Sequence, residues 1–84
     1  MVEQNQMHAL SDLAVGSYCQ VAAVELEGLI RRRILDLGMV PGTPVQCVRK
    51  SPAGDPIAFY VRGSMIALRN EDARLIKVNP WQPE

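Results

Sequence analysis

The sequence predicts a mainly β domain, a small, partly open barrel of five short strands with one helix and short helical turns. Three observations carry that expectation. Short apolar alternations recur along the chain between clusters of Gly, Pro, Asn and Ser, as in Ser51-Pro52-Ala53-Gly54-Asp55-Pro56, and such clusters mark loops between strands. Only one stretch, Leu26 to Leu37, is spaced as a helix. Finally, 84 residues fit a single domain. They supply too few strands for a two-sheet sandwich, and a flat open sheet would leave bare edges, so the sheet is expected to curl.

Taken in order, residues 1–9 are polar, hold the sole histidine, His8, and show no period, which predicts an N-terminal tail. Leu10-Ser11-Asp12-Leu13 predicts one turn closing an end of the core, with Ser11 or Asp12 as its cap. Residues 18–24 form the first strand, with Cys19, Val21 and Ala23 on one face. Leu26, Ile30, Ile34 and Leu37 then recur at i, i+4, i+8 and i+11, a stripe that a helix buries against the sheet. Gly38 stands where a left-handed cap stops that helix, and Pro41-Gly42 suits a type II turn.

The second strand covers residues 45–50, and its pattern leaves the inward face open. Ile57, Phe59 and Val61 give the cleanest alternation in the chain, so Phe59 and Val61 are expected to meet Ile34 and Leu37 in the core. Gly63-Ser64 turns the chain into a strand over 65–69. Asn70 is the expected cap of a short helical turn that carries Glu71 and Asp72. A last strand over 75–78 closes a folded region of residues 10–78, and 79–84, with two prolines, read as a C-terminal tail.

Composition removes several function classes. Lys plus Arg and Asp plus Glu both number 9, for a net charge of zero, so no global field draws the chain to nucleic acid or to an acidic membrane. The longest apolar runs, such as Ala58-Phe59-Tyr60-Val61, fall far short of the ~20 residues of a membrane span. The start has no basic and apolar signal pattern, which makes a cytoplasmic location without membrane insertion the expectation. Cys19 and Cys47 belong to no Cys-x-x-Cys pair and sit among valines, as reduced core residues do. His8 in a tail has no fixed nucleophile to activate, and the His, Cys and carboxylate residues lack metal-ligand spacing. The six glycines form no phosphate-cradling loop. Neither an enzyme nor a resident metal or cofactor is expected.

What remains is a surface. Arg31-Arg32-Arg33 is the one basic run, but on a helix three consecutive residues fan over about 200°, so they do not make one patch. Leu35 falls about 180° from Leu26 on that wheel, between Arg31 and Arg32. An outward leucine with arginine neighbours has the composition of a small anchor with a charged rim. Leu35, Met39 and Val40, flanked by Arg31 and Arg32, are therefore the candidate partner-binding residues. The aromatic residues Tyr18, Phe59, Tyr60 and Trp81 are few and scattered, which speaks against an aromatic peptide groove or a base-stacking platform.

Arg31-Arg32-Arg33-Ile34-Leu35-Asp36-Leu37-Gly38-Met39-Val40-Pro41-Gly42-Thr43, followed by Gly54-Asp55-Pro56-Ile57 and Ala67-Leu68-Arg69, resembles the FeoA family. Members are small cytosolic proteins of bacterial ferrous-iron uptake. The resemblance runs from about Leu10 to Val78. It implies an SH3-like barrel without enzymatic activity that binds the cytosolic, GTP-binding part of the FeoB permease and modulates transport, with weak self-association as a further expectation. The same fold closes metal-dependent repressors of the diphtheria-toxin-repressor type, but the nine residues ahead of Leu10 hold no helix-turn-helix, which favours the stand-alone protein. The alternative from another class is a small barrel binding nucleic acid through Arg31, Arg32, Arg62 and Arg69.

Overall fold

The computed structural model describes residues 8–84. In chain order it contains β1 (His8–Ala9), a 3₁₀ turn (Leu10–Asp12), β2 (Tyr18–Val24), α1 (Gly28–Asp36) and β3 (Pro44–Lys50). There follow β4 (Ile57–Val61), β5 (Ser64–Leu68), α2 (Asn70–Ala73) and β6 (Ile76–Pro80). The strands make one antiparallel sheet in the order β1-β6-β2-β3-β4-β5. β1 and β5 are its two edges, so the sheet curls without closing.

The sheet takes in residues at both ends that the sequence reading placed in tails. His8 and Ala9 pair with Val78 and Lys77, adding a sixth, two-residue strand to the five expected. At the other end Asn79 and Pro80 extend β6 and pair with Gln20 and Cys19. A central strand that must satisfy both neighbours gains backbone hydrogen bonds by running on, and Pro80 at its last position removes only one donor. The rest of the expected N-terminal tail, residues 1–7, lies outside the described residues.

The core is assembled from the inward faces of the strands: Cys19 and Val21 from β2, Val45 and Cys47 from β3, Ile57, Phe59 and Val61 from β4, Ile66 and Leu68 from β5, Ile76 and Val78 from β6. Leu10 of the 3₁₀ turn, Ala73 of α2 and Leu26 close it at the ends. In β3 the inward face left open by the pattern is that of Val45 and Cys47; a bulge between Cys47 and Arg49 then breaks the alternation, and both Val48 and Arg49 are exposed. The cap of α2 also differs from the expectation. Arg69, not Asn70, occupies the cap position, and the Asn70 amide donates to Oδ1 of Asp55 at 2.8 Å. A carboxylate from the β3–β4 loop thus does the work that the Asn70 side chain was expected to do.

Candidate functional site

Helix α1 is held at its C-terminal end. Gly38 has φ +103°, its amide donates to the Leu35 carbonyl at 3.0 Å, and the Met39 amide donates to the Ile34 carbonyl at 3.2 Å. These two bonds make a Schellman cap, which returns the second residue past the helix toward its last turn. Ile34 and Met39 accordingly meet in the core. Pro41-Gly42 then forms the expected turn, with Gly42 at φ +97° and the Thr43 amide donating to the Val40 carbonyl at 3.0 Å.

That cap overturns two expectations. Met39, a candidate partner residue, is 0% exposed, because the capping bonds carry its side chain inward. Leu37, expected in the core with Ile34, Phe59 and Val61, is 41% exposed while the other three are buried. The chain leaves the helix at Leu37, and the inward position beyond Ile34 belongs to Met39. Leu35 is half-buried; Val40, Arg31 and Arg32 are exposed, as the candidate surface requires.

Over its nine residues α1 fully buries only Ile34, with Ile30 packed partly against the core. Beside that buried side lie Leu29, 86% exposed, and Leu37, just past the helix end, at either end of a band of Arg32, Arg33 and Asp36. These residues stand at i, i+3, i+4, i+7 and i+8, one face of a helix. They line a groove of about 550 Å³ together with Ile30. A second depression of about 420 Å³, lined by Gly28, Arg31, Arg32, Leu35 and Asp36, adjoins it through the shared Arg32 and Asp36. The sequence reading missed Leu29, although its spacing to Leu37 across the charged band was the available signal. Arg33 stands exposed in the last turn, where its charge suits the helix dipole.

The groove has the chemistry of recognition. Two exposed leucines offer apolar area, and Arg32, Arg33 and Asp36 offer both charge signs at the rim. Elsewhere the thiols are unreactive by position: burial, with a lesser contribution from Cys47, pushes the Cys19 thiol up to about 12, and burial also raises that of Cys47. A nucleophilic thiolate needs the opposite shift. His8 is exposed on the edge strand β1. Among the described residues, no three His, Cys, Asp or Glu side chains converge as a metal site, and no helix is long and apolar enough to cross a membrane.

A second feature contradicts the sequence reading. Tyr18, Tyr60 and Trp81, judged too scattered to act together, line one groove of about 280 Å³. The strand order brings them there: Tyr18 pairs with Gln46, Gln46 with Tyr60, and Tyr60 with Met65, one row across four strands.

Three comparisons agree on kinship. The family model described as "FeoA domain" matches residues 8–80. An Fe(2+) transport protein A/Fe(2+) transporter FeoB fusion protein of Porphyromonas gingivalis is 36% identical over 69 residues, which cover 82% of this chain and 8% of the fusion protein. The solution structure of FeoA from Chlorobium tepidum superposes with a TM-score of 0.84 at 34% identity, covering 90% of this chain and 72% of that one. FeoA of Stenotrophomonas maltophilia, described as a prokaryotic SH3 domain protein and crystallised with zinc, gives a TM-score of 0.74 at 34% identity, covering 83% and 87%. The open, curled antiparallel sheet is thus the SH3-like fold of these relatives, and the chain belongs to the FeoA family.

Proposed function

We propose that this chain is a non-catalytic, cytoplasmic adaptor of ferrous-iron uptake. It docks through the outer face of α1 on the cytosolic, GTP-binding part of a FeoB-type permease and modulates transport. The observation that carries the reading is the unpartnered apolar surface of α1, with Leu29 86% exposed and Leu37 on the same face. The Porphyromonas gingivalis fusion protein joins a relative of this chain to a permease in one polypeptide, an arrangement that holds two interacting domains at high effective concentration. Leu29, Leu35, Leu37 and Val40 supply the apolar anchor, and Arg31, Arg32 and Arg33 the charged rim. Met39 supports this surface from beneath.

The test is co-purification with the isolated cytosolic domain of the permease. The wild-type chain is expected to be retained, and Leu29→Glu with Leu37→Glu is expected to be lost from the complex while keeping its folded spectrum. Retention of the folded double variant at the wild-type level would remove α1 from the docking surface. Duplex DNA or RNA as bait is expected to retain nothing at physiological salt, consistent with a net charge of zero.

A further inference from the structure

The two edges of the sheet are finished differently. Among the described residues β1 ends the sheet with His8 and Ala9 alone, a length that offers little to another strand. β5 ends it with five residues, Ser64–Leu68, none of them charged and none a proline. Its pairing with β4 runs from Val61↔Ser64 to Ile57↔Leu68 without a bulge. Shortness, a charge, a proline or a bulge is what keeps an edge from pairing with another chain. β5 has none of these.

The register shows which of its backbone groups are open. β4 and β5 meet through the two-residue turn Arg62-Gly63, with φ +49° and +85°, the signs of a type I′ turn. Val61 and Ser64, which flank such a turn, form a hydrogen-bonded pair, and bonded and non-bonded pairs alternate from there. Ser64, Ile66 and Leu68 therefore direct their amides and carbonyls to β4, and Met65 and Ala67 direct theirs away from the sheet. Among the described residues, those of Met65 and Ala67 meet no other backbone or side-chain partner. Met65 is 55% exposed, and Ile66 and Leu68, at 7% and 6%, are the least covered apolar residues of the core.

We propose that the β5 edge is a self-association site, at which a second copy of this chain adds its own β5 antiparallel about a two-fold axis at Ile66. Only that register pairs every residue of both strands. Met65 then stands opposite Ala67 of the second copy, and each such pair exchanges both of its N–H···O bonds. The long Met65 side chain meets a short one on the outward face, which makes the edge complementary to itself. Charge selects the direction. Arg62 and Arg69 bracket the strand, so a parallel, in-register pairing would set each arginine beside its own equivalent, an unfavourable arrangement. The antiparallel pairing sets Arg69 opposite Gly63 and Arg62 opposite Asn70. Because both copies use the same edge, the contact closes as a dimer and does not propagate. Two strands of this length bury less than the roughly 800 Å² per partner of a stable interface, so the dimer is weak and forms only at high concentration. This site goes beyond the docking proposed for α1 and shares no residue with it.

The test is sedimentation equilibrium of the full chain from about 20 μM to about 1 mM, with amide hydrogen exchange read by NMR at both ends of the range. The mean mass is expected to rise reversibly from monomer toward dimer. Over the same range the Met65 and Ala67 amides are expected to exchange about threefold more slowly, while the Ile66 amide, bonded to β4 in either state, does not change. Ala67→Pro removes an outward donor, a change that an edge strand tolerates, and is expected to weaken self-association at least about tenfold. Ala67→Lys, which sets a charged chain against Met65 of the second copy, is expected to do the same if the proline variant fails to fold. Leu29→Glu is expected to leave self-association as it is. A chain that stays monomeric to about 1 mM would overturn the proposal. So would self-association lost in Leu29→Glu but kept in Ala67→Lys, which would move the contact to α1. If Ala67→Lys still self-associates but no longer binds the cytosolic domain of the permease, the edge belongs to a strand of that partner and the second copy is excluded.

Discussion

Strand β4 and helix α1 use their apolar residues in opposite ways. In five residues β4 buries Ile57, Phe59 and Val61 in the core. In nine residues α1 buries Ile34 alone and turns Leu29 outward, and Leu37, the residue just past its end, is exposed as well. At roughly 1.5–3 kcal/mol for each fully buried large side chain, the strand contributes to folding out of proportion to its length and the helix does not. A helix this short gains little from its own hydrogen bonds in water. Its exposed leucines therefore contribute little to the stability of the chain.

The comparison is sharpest at Phe59. Phe59→Ala is expected to cost about 3–5 kcal/mol, a large share of what so small a domain has, and a cooperative thermal melt left in place would break the strand side of the comparison. Met39→Ala comes next, at about 2–5 kcal/mol, since Met39 is as buried as Phe59. A melt unchanged by that substitution would return Met39 to the surface where the sequence reading had placed it.

A gentler loss is expected from alkali. Cys19 keeps its proton in the folded state up to about 12, against 9.0 when unfolded. Between those values the unfolded chain has released a proton that the folded chain still holds, so stability is fully present below pH 9 and falls as pH rises toward 12. Cys19→Ser is expected to flatten that slope, which urea titrations at pH 8 and pH 10.5 would measure. An unchanged slope would show that burial of the thiol is not its cause.

The strands and the helix stop were legible because local rules decide them. Ile57, Phe59 and Val61 alternate, and Gly38 with Pro41-Gly42 can do little but end a helix. The inward face of β3 was not legible, because the bulge after Cys47 breaks the period on which such a reading depends. Met39 was misplaced for a different reason. Helical angles say nothing of a residue beyond the cap, whose direction is set by two backbone bonds. Arg31, Arg32 and Val40 stand on the surface as expected, whereas the exposure of Leu29 is signalled only by its spacing to Leu37 eight residues later. The meeting of Tyr18, Tyr60 and Trp81 follows from strand order and register, which are long-range facts that no local pattern carries.

The central claim, that α1 holds surface for a partner and the sheet holds the fold, is tested most directly by calorimetric titration of the cytosolic domain of a FeoB-type permease, with a thermal melt of each variant beside it. Leu29→Ala and Leu37→Ala together are expected to change stability by no more than about 0.5 kcal/mol and to weaken association by ~1–2 kcal/mol, roughly tenfold in Kd. A double variant that melts like wild type and binds with the wild-type Kd would contradict the account.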